Sequence, residues 1–212
     1  MENQYIVIEG NIGAGKTTLV EKSASLINAK TLFESFADNP FLPKFYENPK
    51  RNAFPLELFF MAERYQQLID DFNAPDLFQQ ITIADYHFSK SLLFASITLS
   101  ELELKLFKRL YEIIYSNLPK PDLVIYIHVP IERLKRQIAL RGREYEQSIS
   151  SEYLKKVEQA YFTFFRNLEN CPVVVVHAGE EEFIENTQNF NAIQRIMNKK
   201  WESKMHEIWL NN

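Results

Sequence analysis

The feature that most constrains this chain is the segment Gly10–Thr18, which reads Gly-Asn-Ile-Gly-Ala-Gly-Lys-Thr-Thr. It follows a short apolar run, Tyr5–Ile8, and precedes a segment with helical character, Leu19–Leu26. The Gly-x4-Gly-Lys-Ser/Thr spacing between a strand and a helix is typical of a phosphate loop. The segment therefore predicts a site for a nucleoside triphosphate, although it does not show what is done with that ligand.

Each residue type in this loop has a physical task. We expect Gly10 and Gly15 to adopt backbone angles that a side chain would forbid, so that N–H groups turn toward phosphate oxygens. The following helix N-terminus adds unsatisfied donors and a positive dipole end. Lys16 is expected to reach the β- and γ-phosphates and Thr17 to bind Mg²⁺. The alternative is a glycine-rich turn that binds nothing. The predicted nucleotide-binding residues are Gly10, Asn11, Ile12, Gly13, Ala14, Gly15, Lys16, Thr17 and Thr18.

Five short runs have the apolar or β-branched character of strands, and helical patterns separate them. This alternation predicts an α/β fold with a five-stranded parallel sheet and helices on both faces. The predicted strands are Tyr5–Glu9, Lys30–Phe33, Gln80–Ala84, Leu123–His128 and Val173–His177.

Prolines and capping residues locate the helices. The proline-rich stretch after Asn39 predicts a long connection, and Pro55 then opens a helix that reaches about Phe72. The tail from Trp201 is interpreted as an amphipathic addition. The other predicted helices follow Asp85, begin at the Ser100–Glu103 capping box, cover Ile131–Leu140 up to Gly142, begin at the Ser150 cap, and cover about residues 180–198.

The composition narrows the class of protein. The 212 residues are 46% apolar, which suffices for one sizeable core, and carry a net charge of −4. The sequence has no basic run typical of a nucleic-acid surface and no apolar run long enough for a membrane span. The single cysteine, Cys171, excludes internal disulfides and is expected to be a small buried side chain. We expect one cytoplasmic domain over residues 1–212, with no signal peptide.

Acidic residues lie at the carboxyl ends of the first three predicted strands, at the sheet edge where open parallel sheets bind ligands. These residues are Glu9, Glu34 and Asp85. Asp85 either holds Mg²⁺, directly or through water, or caps the helix that follows it. Glu34 could take a proton from a substrate hydroxyl, or it could equally be a solvated charge at a strand end.

On these residues and several later motifs, the sequence resembles the deoxyribonucleoside kinase family, most closely its bacterial deoxyguanosine kinase and deoxyadenosine kinase branch. The resemblance implies a nucleoside-kinase-like P-loop fold with a small lid at about residues 141–149. It also implies transfer of a phosphoryl group from ATP, with Mg²⁺, to a deoxynucleoside 5′-hydroxyl, and a homodimer. The likeness covers the Gly10–Thr18 loop, Glu34, Asp38–Leu42, Phe45–Tyr46, Leu56–Arg64, Asp85–His87, Arg141–Arg143 and Glu146.

The resemblance assigns roles to several of these side chains. It implies that Glu34 is the general base, and that Tyr46 and Glu146 hold the sugar 3′-hydroxyl. Arg141 and Arg143 would close over the transferring phosphoryl group, although cations at a helix C-terminus also favour the helix dipole. Phe94 matches a base-stacking position, and a core phenylalanine is the alternative.

Two positions depart from the family pattern. Tyr86 follows Asp85 where many members have an arginine beside the phosphates; the deoxyguanosine kinase branch resembles this chain in having Asp-Tyr-His here. Gln137 stands where relatives often have another arginine. Arg64 or Lys90 could supply the missing positive charge.

Glu57 is unusual because it lies in a helical segment that is apolar nearly all round, where a carboxylate needs partners. In the family this position commonly holds a glutamine that reads the base. An ionised carboxylate offers two acceptors to the two donors of guanine, whereas an amide suits adenine, so Glu57 favours deoxyguanosine. The alternatives are a structural pair between Glu57 and Arg64, and a deoxyadenosine or broad-specificity kinase.

Rival functions make different demands on the sequence. A nucleoside monophosphate kinase needs arginines near the second strand, and the stretch Phe33–Pro43 has none. A GTP-dependent switch needs Asp-x-x-Gly after the second acidic strand, where this chain has Asp85-Tyr86-His87-Phe88. A regulator that binds ATP without catalysis stays open, because of Tyr86 and Gln137.

Overall fold

The computed structural model describes residues 3–34, 39–73, 79–169, 171–179 and 184–210. The chain divides into two compact units. Unit 1 comprises residues 1–33, 76–87 and 120–212, and unit 2 comprises residues 34–75 and 88–119. The assignment of one domain over residues 1–212, with a lid at about residues 141–149, stays a prediction.

Unit 1 is built on a parallel sheet. Its strands are β1 (Tyr5–Gly10), β2 (Lys30–Leu32), β3 (Thr82–Ala84), β4 (Leu123–His128), β5 (Val173–His177) and β6 (Met205–Trp209). They lie in the order β2-β3-β1-β4-β5-β6, and every neighbouring pair is parallel. The central strands β1, β4 and β5 are buried almost throughout, because helices cover a parallel sheet on both faces. The predicted α/β fold with a parallel sheet is confirmed.

The sheet has six strands in the described residues, so the prediction of five was wrong. The extra strand, β6, lies in the tail interpreted as an amphipathic addition, and pairs with β5 from Met205 to Trp209. It is half-exposed, and it carries His206 and Glu207, so it lacks the continuous apolar run of a central strand. Side chains fasten it to β5: the His177 ring stacks on Trp209 at 4.6 Å, and His177 Nε2 lies 2.9 Å from Glu207 Oε2.

Eight α-helices occur in the described part of the chain. Those of unit 2 are α2 to α5, and the others belong to unit 1. Their bounds are α1 (Lys16–Ile27), α2 (Leu42–Glu47), α3 (Pro49–Asn73), α4 (Lys90–Thr98), α5 (Glu101–Tyr115), α6 (Ile131–Arg141), α7 (Ser151–Arg166) and α8 (Thr187–Asn198).

Three predicted helix boundaries are confirmed by local hydrogen bonds and angles. Ser100 and Glu103 form the capping box of α5. The Ser150 hydroxyl accepts a hydrogen bond from the Tyr153 N–H at the start of α7. Gly142 ends α6 with a φ of 69°, which glycine adopts without strain.

Two predictions about the proline-rich region were wrong. The long connection contains α2, which has Pro43 in its first turn. The next helix begins at Pro49, and Pro55 lies inside it rather than at its start. Pro49 suits a first helical position as well as Pro55 does, and burial of Ala53, Leu56 and Phe60 stabilises the turns on either side of Pro55.

Other details complete the fold. The last helix begins at Thr187 rather than near residue 180, because the Asn186 side chain caps it; residues 180–183 lie outside the described residues. Cys171 is buried as expected, and burial raises the pKa of its thiol to about 12. No helix in the described ranges is long and apolar enough to span a bilayer.

We expect Trp209→Ala to loosen β6, because the mutation removes the ring on which His177 stacks. Amide hydrogen exchange should accelerate over Met205–Trp209 but not over β4, and the free energy of unfolding should fall by about 1 kcal/mol. Leu140→Ala, at an exposed position of α6, is the matched control. Unchanged protection of β6 in Trp209→Ala would show that the stacking does not hold the strand.

Candidate active site

The phosphate loop connects β1 to α1 in unit 1. Gly13 and Gly15 have φ angles of 82° and 81°, in the left-handed region that favours glycine. Gly10 has no such angle; a Cβ there would lie 2.9 Å from Ala14 Cβ and 3.0 Å from the Ile127 carbonyl oxygen. The expected backbone freedom is therefore observed at Gly15, whereas Gly10 is required for space.

Polar side chains hold the loop in shape. The Lys16 ammonium donates to the carbonyl oxygens of Gly10 and Asn11, at 2.9 and 3.0 Å. Asn11 is buried; its amide donates to the Leu154 carbonyl on α7 at 2.8 Å and accepts from the Ile12 N–H at 2.8 Å. The Lys16 ammonium therefore lies against the backbone of the loop, in a position suited to a bound anion.

Thr17 and Asp85 are brought together. The Thr17 hydroxyl donates to Asp85 Oδ2 at 2.7 Å, and the Asp85 N–H donates to the Leu32 carbonyl at 3.0 Å. Asp85 does not cap the next helix, because α4 begins five residues later with Ser89 as its N-cap. Of the two predicted roles for Asp85, this placement supports metal binding.

These two side chains fit Mg²⁺. A hydroxyl and a carboxylate are the hard oxygen ligands that Mg²⁺ prefers, together with waters and substrate phosphates. Among the residues that the structure describes, no three His, Cys, Asp or Glu side chains form a metal cluster.

Glu9, the third acid at this edge, is 1% exposed and is held by hydrogen bonds from neighbouring elements. Its carboxylate accepts hydrogen bonds from the backbone N–H of His87 at 2.7 Å and from the Tyr161 hydroxyl at 2.9 Å. Burial, with a contribution from Lys120, lowers the pKa of His87 to about 3. His87 is therefore neutral and does not supply the positive charge missing after Asp85.

Two arginines, one at the end of α6 and one just beyond it, contact the same carboxylate in unit 1. Arg143 Nη1 donates to Glu146 Oε1 at 3.1 Å, and Arg141 Nη1 lies 3.6 Å from the same oxygen. Glu146 is 5% exposed, and its Oε2 has no hydrogen-bond partner among the described atoms. A buried acceptor without a donor costs about 1–3 kcal/mol, so Oε2 is suited to accept a hydrogen bond from a ligand hydroxyl.

In unit 2, the Glu34 carboxylate lies between two cations. The Arg64 guanidinium donates to Oε1 through Nε at 2.8 Å and through Nη2, and the Lys90 ammonium donates to Oε2. Arg64 Nη1 also donates to Ser91 Oγ at 2.7 Å. Burial raises the pKa of Glu34, but Lys90 and Arg64 outweigh it and bring the value to about 2. Glu34 is thus a buried, ionised carboxylate rather than a solvated strand-end charge.

Glu57 lies in the same unit and behaves in the opposite way. It is 3% exposed, and the Thr98 hydroxyl lies 2.9 Å from its Oε1. Burial raises its pKa to about 7, although Arg64 and the hydrogen bond with Thr98 act against this. Arg64 directs its donors to Glu34 and Ser91 and acts on Glu57 through space, so the predicted Glu57–Arg64 pair is not a direct hydrogen bond among those that the structure shows.

Thr98 was missed by the sequence reasoning. It is the last residue of α4, and its contact with Glu57 depends on how α4 packs against α3. A threonine at a helix end gives no signal that distinguishes it from a surface residue.

The remaining predicted residues are placed as follows. Tyr46 lies on α2 in unit 2 and packs edge-on against Phe45, with ring centroids 5.5 Å apart. Phe94 is half-buried on α4, and the Lys90 Nζ atom lies 5.8 Å from its ring centroid. Asp38 lies outside the described residues. The roles of Tyr46 in sugar binding and of Phe94 in stacking stay predictions.

Comparisons with known proteins agree on one family. A sequence model described as deoxynucleoside kinase matches residues 6–202. The chain is 37% identical over 193 residues to a deoxyguanosine kinase of Bacillus subtilis (strain 168), covering 89% of this chain and 93% of that protein. It is 31% identical over 189 residues to a deoxyadenosine kinase of Dictyostelium discoideum, covering 89% of this chain and 77% of that protein.

A solved structure supports the fold. The deoxyadenosine kinase from M. mycoides with bound dATP matches with a TM-score of 0.79, over 92% of this chain and 100% of that chain. The sequence identity is 23%, so this likeness concerns the fold alone.

The ion pairs of Glu34 should make stability depend on pH. Its pKa falls from 4.5 to about 2 on folding, so the stabilisation is complete above about pH 5 and lost as the pH falls toward 2. The full effect is about 3 kcal/mol. Lys90→Met should raise the pKa of Glu34, lower the unfolding free energy at pH 7 and flatten its acid dependence. Denaturant unfolding at several pH values measures this, with Lys105→Met as the exposed control. Equal acid dependence in Lys90→Met and the wild type would contradict it.

Proposed function

The chain belongs to the deoxynucleoside kinase family, and we propose that it transfers the γ-phosphate of ATP to the 5′-hydroxyl of a purine deoxynucleoside, with deoxyguanosine favoured. The observation that carries this proposal is the presence of a phosphate loop in unit 1 and of a buried carboxylate held by two cations in unit 2. A nucleoside monophosphate kinase would need arginines to grip the acceptor's phosphate, and Phe33–Pro43 contains none.

Unit 1 would hold ATP and its metal ion. The Gly10–Thr18 loop supplies backbone N–H groups, Lys16 neutralises the terminal phosphates, and Thr17 and Asp85 hold Mg²⁺. The ion, when bound, shields the charge on the phosphate oxygens.

Glu34 would act on the acceptor hydroxyl. A carboxylate with a pKa of about 2 is a weak base, but it stays ionised at every physiological pH. Because the transition state of phosphoryl transfer is loose, the hydroxyl needs orientation more than early deprotonation. Glu34 is therefore proposed to accept the hydroxyl hydrogen bond, orient the oxygen, and take the proton as the new P–O bond forms. Arg64 and Lys90 hold it in place.

Arg141 and Arg143 would stabilise the transferring phosphoryl group. Both arginines contact Glu146, which leaves its Oε2 as a buried acceptor for the sugar 3′-hydroxyl. Tyr46 would donate to the same hydroxyl. Binding of the sugar would thus supply a donor to an oxygen that has none among the described residues.

Glu57 would read the base. Its ionised carboxylate offers two acceptors, which match the N1–H and 2-amino donors of guanine, and Phe94 would stack on the ring. The mismatch with adenine costs about 1–3 kcal/mol, or roughly tenfold to a hundredfold in kcat/KM. The similarity to a deoxyguanosine kinase supports this preference.

A homodimer is also proposed, through α4 and α5. Leu102, Leu106 and Ile113 lie on one face of α5 and are 81%, 50% and 68% exposed, which is unusual for large apolar side chains. Light scattering of the purified chain tests this, and a monomer would exclude it. A place in cytoplasmic nucleotide salvage, where thiols stay reduced, fits the single thiol of Cys171.

Substitution of the proposed catalytic side chains should reduce turnover more than nucleoside binding. We expect Glu34→Gln and Arg141→Ala to lower kcat at least about 100-fold, with smaller changes in nucleoside Kd, because both side chains act on the reacting groups. Steady-state kinetics and equilibrium binding measure the two effects. Glu63→Gln on the exposed face of α3 and Arg136→Ala on α6 are matched controls. Wild-type turnover in both active-site variants would refute the assigned chemistry.

Substrate choice tests the identity of the reaction. ADP release, measured with each of the four deoxynucleosides, should be fastest with deoxyguanosine. Glu57→Gln should shift the ratio of kcat/KM values toward deoxyadenosine by about tenfold or more, because an amide presents one donor and one acceptor. An unchanged ratio would exclude Glu57 from base reading, and no ADP release with any nucleoside would favour a non-catalytic regulator.

A further inference from the structure

The Thr98 hydroxyl has one hydrogen and two acceptors. Its Oγ1 lies 2.9 Å from Glu57 Oε1 and 2.9 Å from the carbonyl oxygen of Phe94, four residues earlier on α4. If the hydrogen points to Glu57, the carboxylate accepts it, and this arrangement suits the ionised form. If it points to Phe94, as threonines in helices often do, the contact with Glu57 needs a proton on the carboxyl group. The same positions of these atoms therefore suit both protonation states of Glu57.

The surroundings of Glu57 are balanced between these states. Burial to 3% exposure favours the neutral acid. Arg64 on the same helix and Lys90 on α4 favour the ionised form, but both are bound to Glu34, whose charge opposes them.

The charges that act on Glu57 belong to Arg64, Glu34 and Lys90. Tyr46 of α2 lies in the core cluster that contains Leu56, the neighbour of Glu57 in sequence. Tyr111 of α5 donates to Ser89, and burial raises its pKa above the usual range. The resulting pKa of Glu57 is about 7, so both forms are well populated near neutral pH.

We propose that Glu57 reads purines in two protonation states, so that the ionised carboxylate selects guanine and the neutral carboxyl selects adenine. The inference rests on the proposed function. A neutral carboxyl has one donor and one acceptor, as the amide of glutamine has, and adenine presents an acceptor at N1 and a donor at its 6-amino group. The enzyme therefore changes its preferred purine with pH while its other contacts with the substrate stay the same.

The expected pH dependence is steep. If each form accepts only its own base, the ratio of kcat/KM for deoxyguanosine to that for deoxyadenosine follows the ratio of ionised to neutral Glu57. That ratio rises about tenfold per pH unit, until the residual acceptance of the wrong base limits it. Groups that act on both substrates alike cancel in the ratio.

The kinetic experiment measures this ratio from about pH 6 to about pH 8.5. The wild type should show a rising ratio, and Glu57→Gln should show a flat one that favours deoxyadenosine. Thr98→Val removes a donor to the ionised form, so its curve should shift to higher pH, while Thr98→Ser keeps the hydroxyl and the wild-type curve. A wild-type ratio that does not change with pH, or a slope that Glu57→Gln retains, overturns the proposal.

A second measurement does not depend on turnover. Calorimetric titration near pH 7, in two buffers of different ionisation enthalpy, gives the protons exchanged on binding. When deoxyadenosine binds, the protein should take up about half a proton per site, and when deoxyguanosine binds, it should release about half a proton per site. Glu57→Gln should abolish both exchanges. Equal proton exchange for the two nucleosides contradicts the proposal.

The two experiments separate this inference from the function on which it rests. If neither purine is phosphorylated or bound, the proposed function fails. If both are phosphorylated and Glu57→Gln changes the preference, but neither the ratio nor the proton exchange responds as described, only the two-state reading fails.

Discussion

The interaction on which unit 2 depends is the buried ion triplet of Glu34, Arg64 and Lys90. Taking an ion out of water costs several kcal/mol, and the mutual attraction of the three side chains offsets that cost. Because Glu34 begins the unit, Arg64 lies on α3 and Lys90 on α4, the triplet fixes three parts of the chain against one another. The ion triplet therefore helps to specify how the parts of this unit pack.

The triplet also determines what the neighbouring carboxyl group can be. Two buried glutamates share one interior, and their pKa values lie on opposite sides of the ordinary value, near 2 for Glu34 and near 7 for Glu57. The difference arises because both cations bond directly to Glu34, whereas Glu57 has a threonine hydroxyl. Glu34 therefore stays ionised at neutral pH, whereas the charge of Glu57 changes with pH near neutrality.

The features that could be predicted from the sequence are those that depend on residues close together in the chain. β4 and β5 were predicted to the residue because their buried apolar runs are unambiguous, and the helix caps at Ser100 and Ser150 followed from side chains beside the backbone that they bind. β6 was missed because an exposed strand does not carry a continuous apolar run. The partner of Glu57 was missed because helical spacing pointed to Arg64, and spacing within one helix contains no information on Glu34 or Thr98.

The side chain of Asn11 has a consequence for how the chain acquires activity. This residue stands near the N-terminus, yet its amide is anchored to a carbonyl 143 residues later in the sequence, on α7. The nearby Gly10 also packs against Ile127 of β4. During synthesis, the loop segment emerges long before either contact can form. The loop therefore reaches its final set of contacts only after α7 and β4 have been assembled around it.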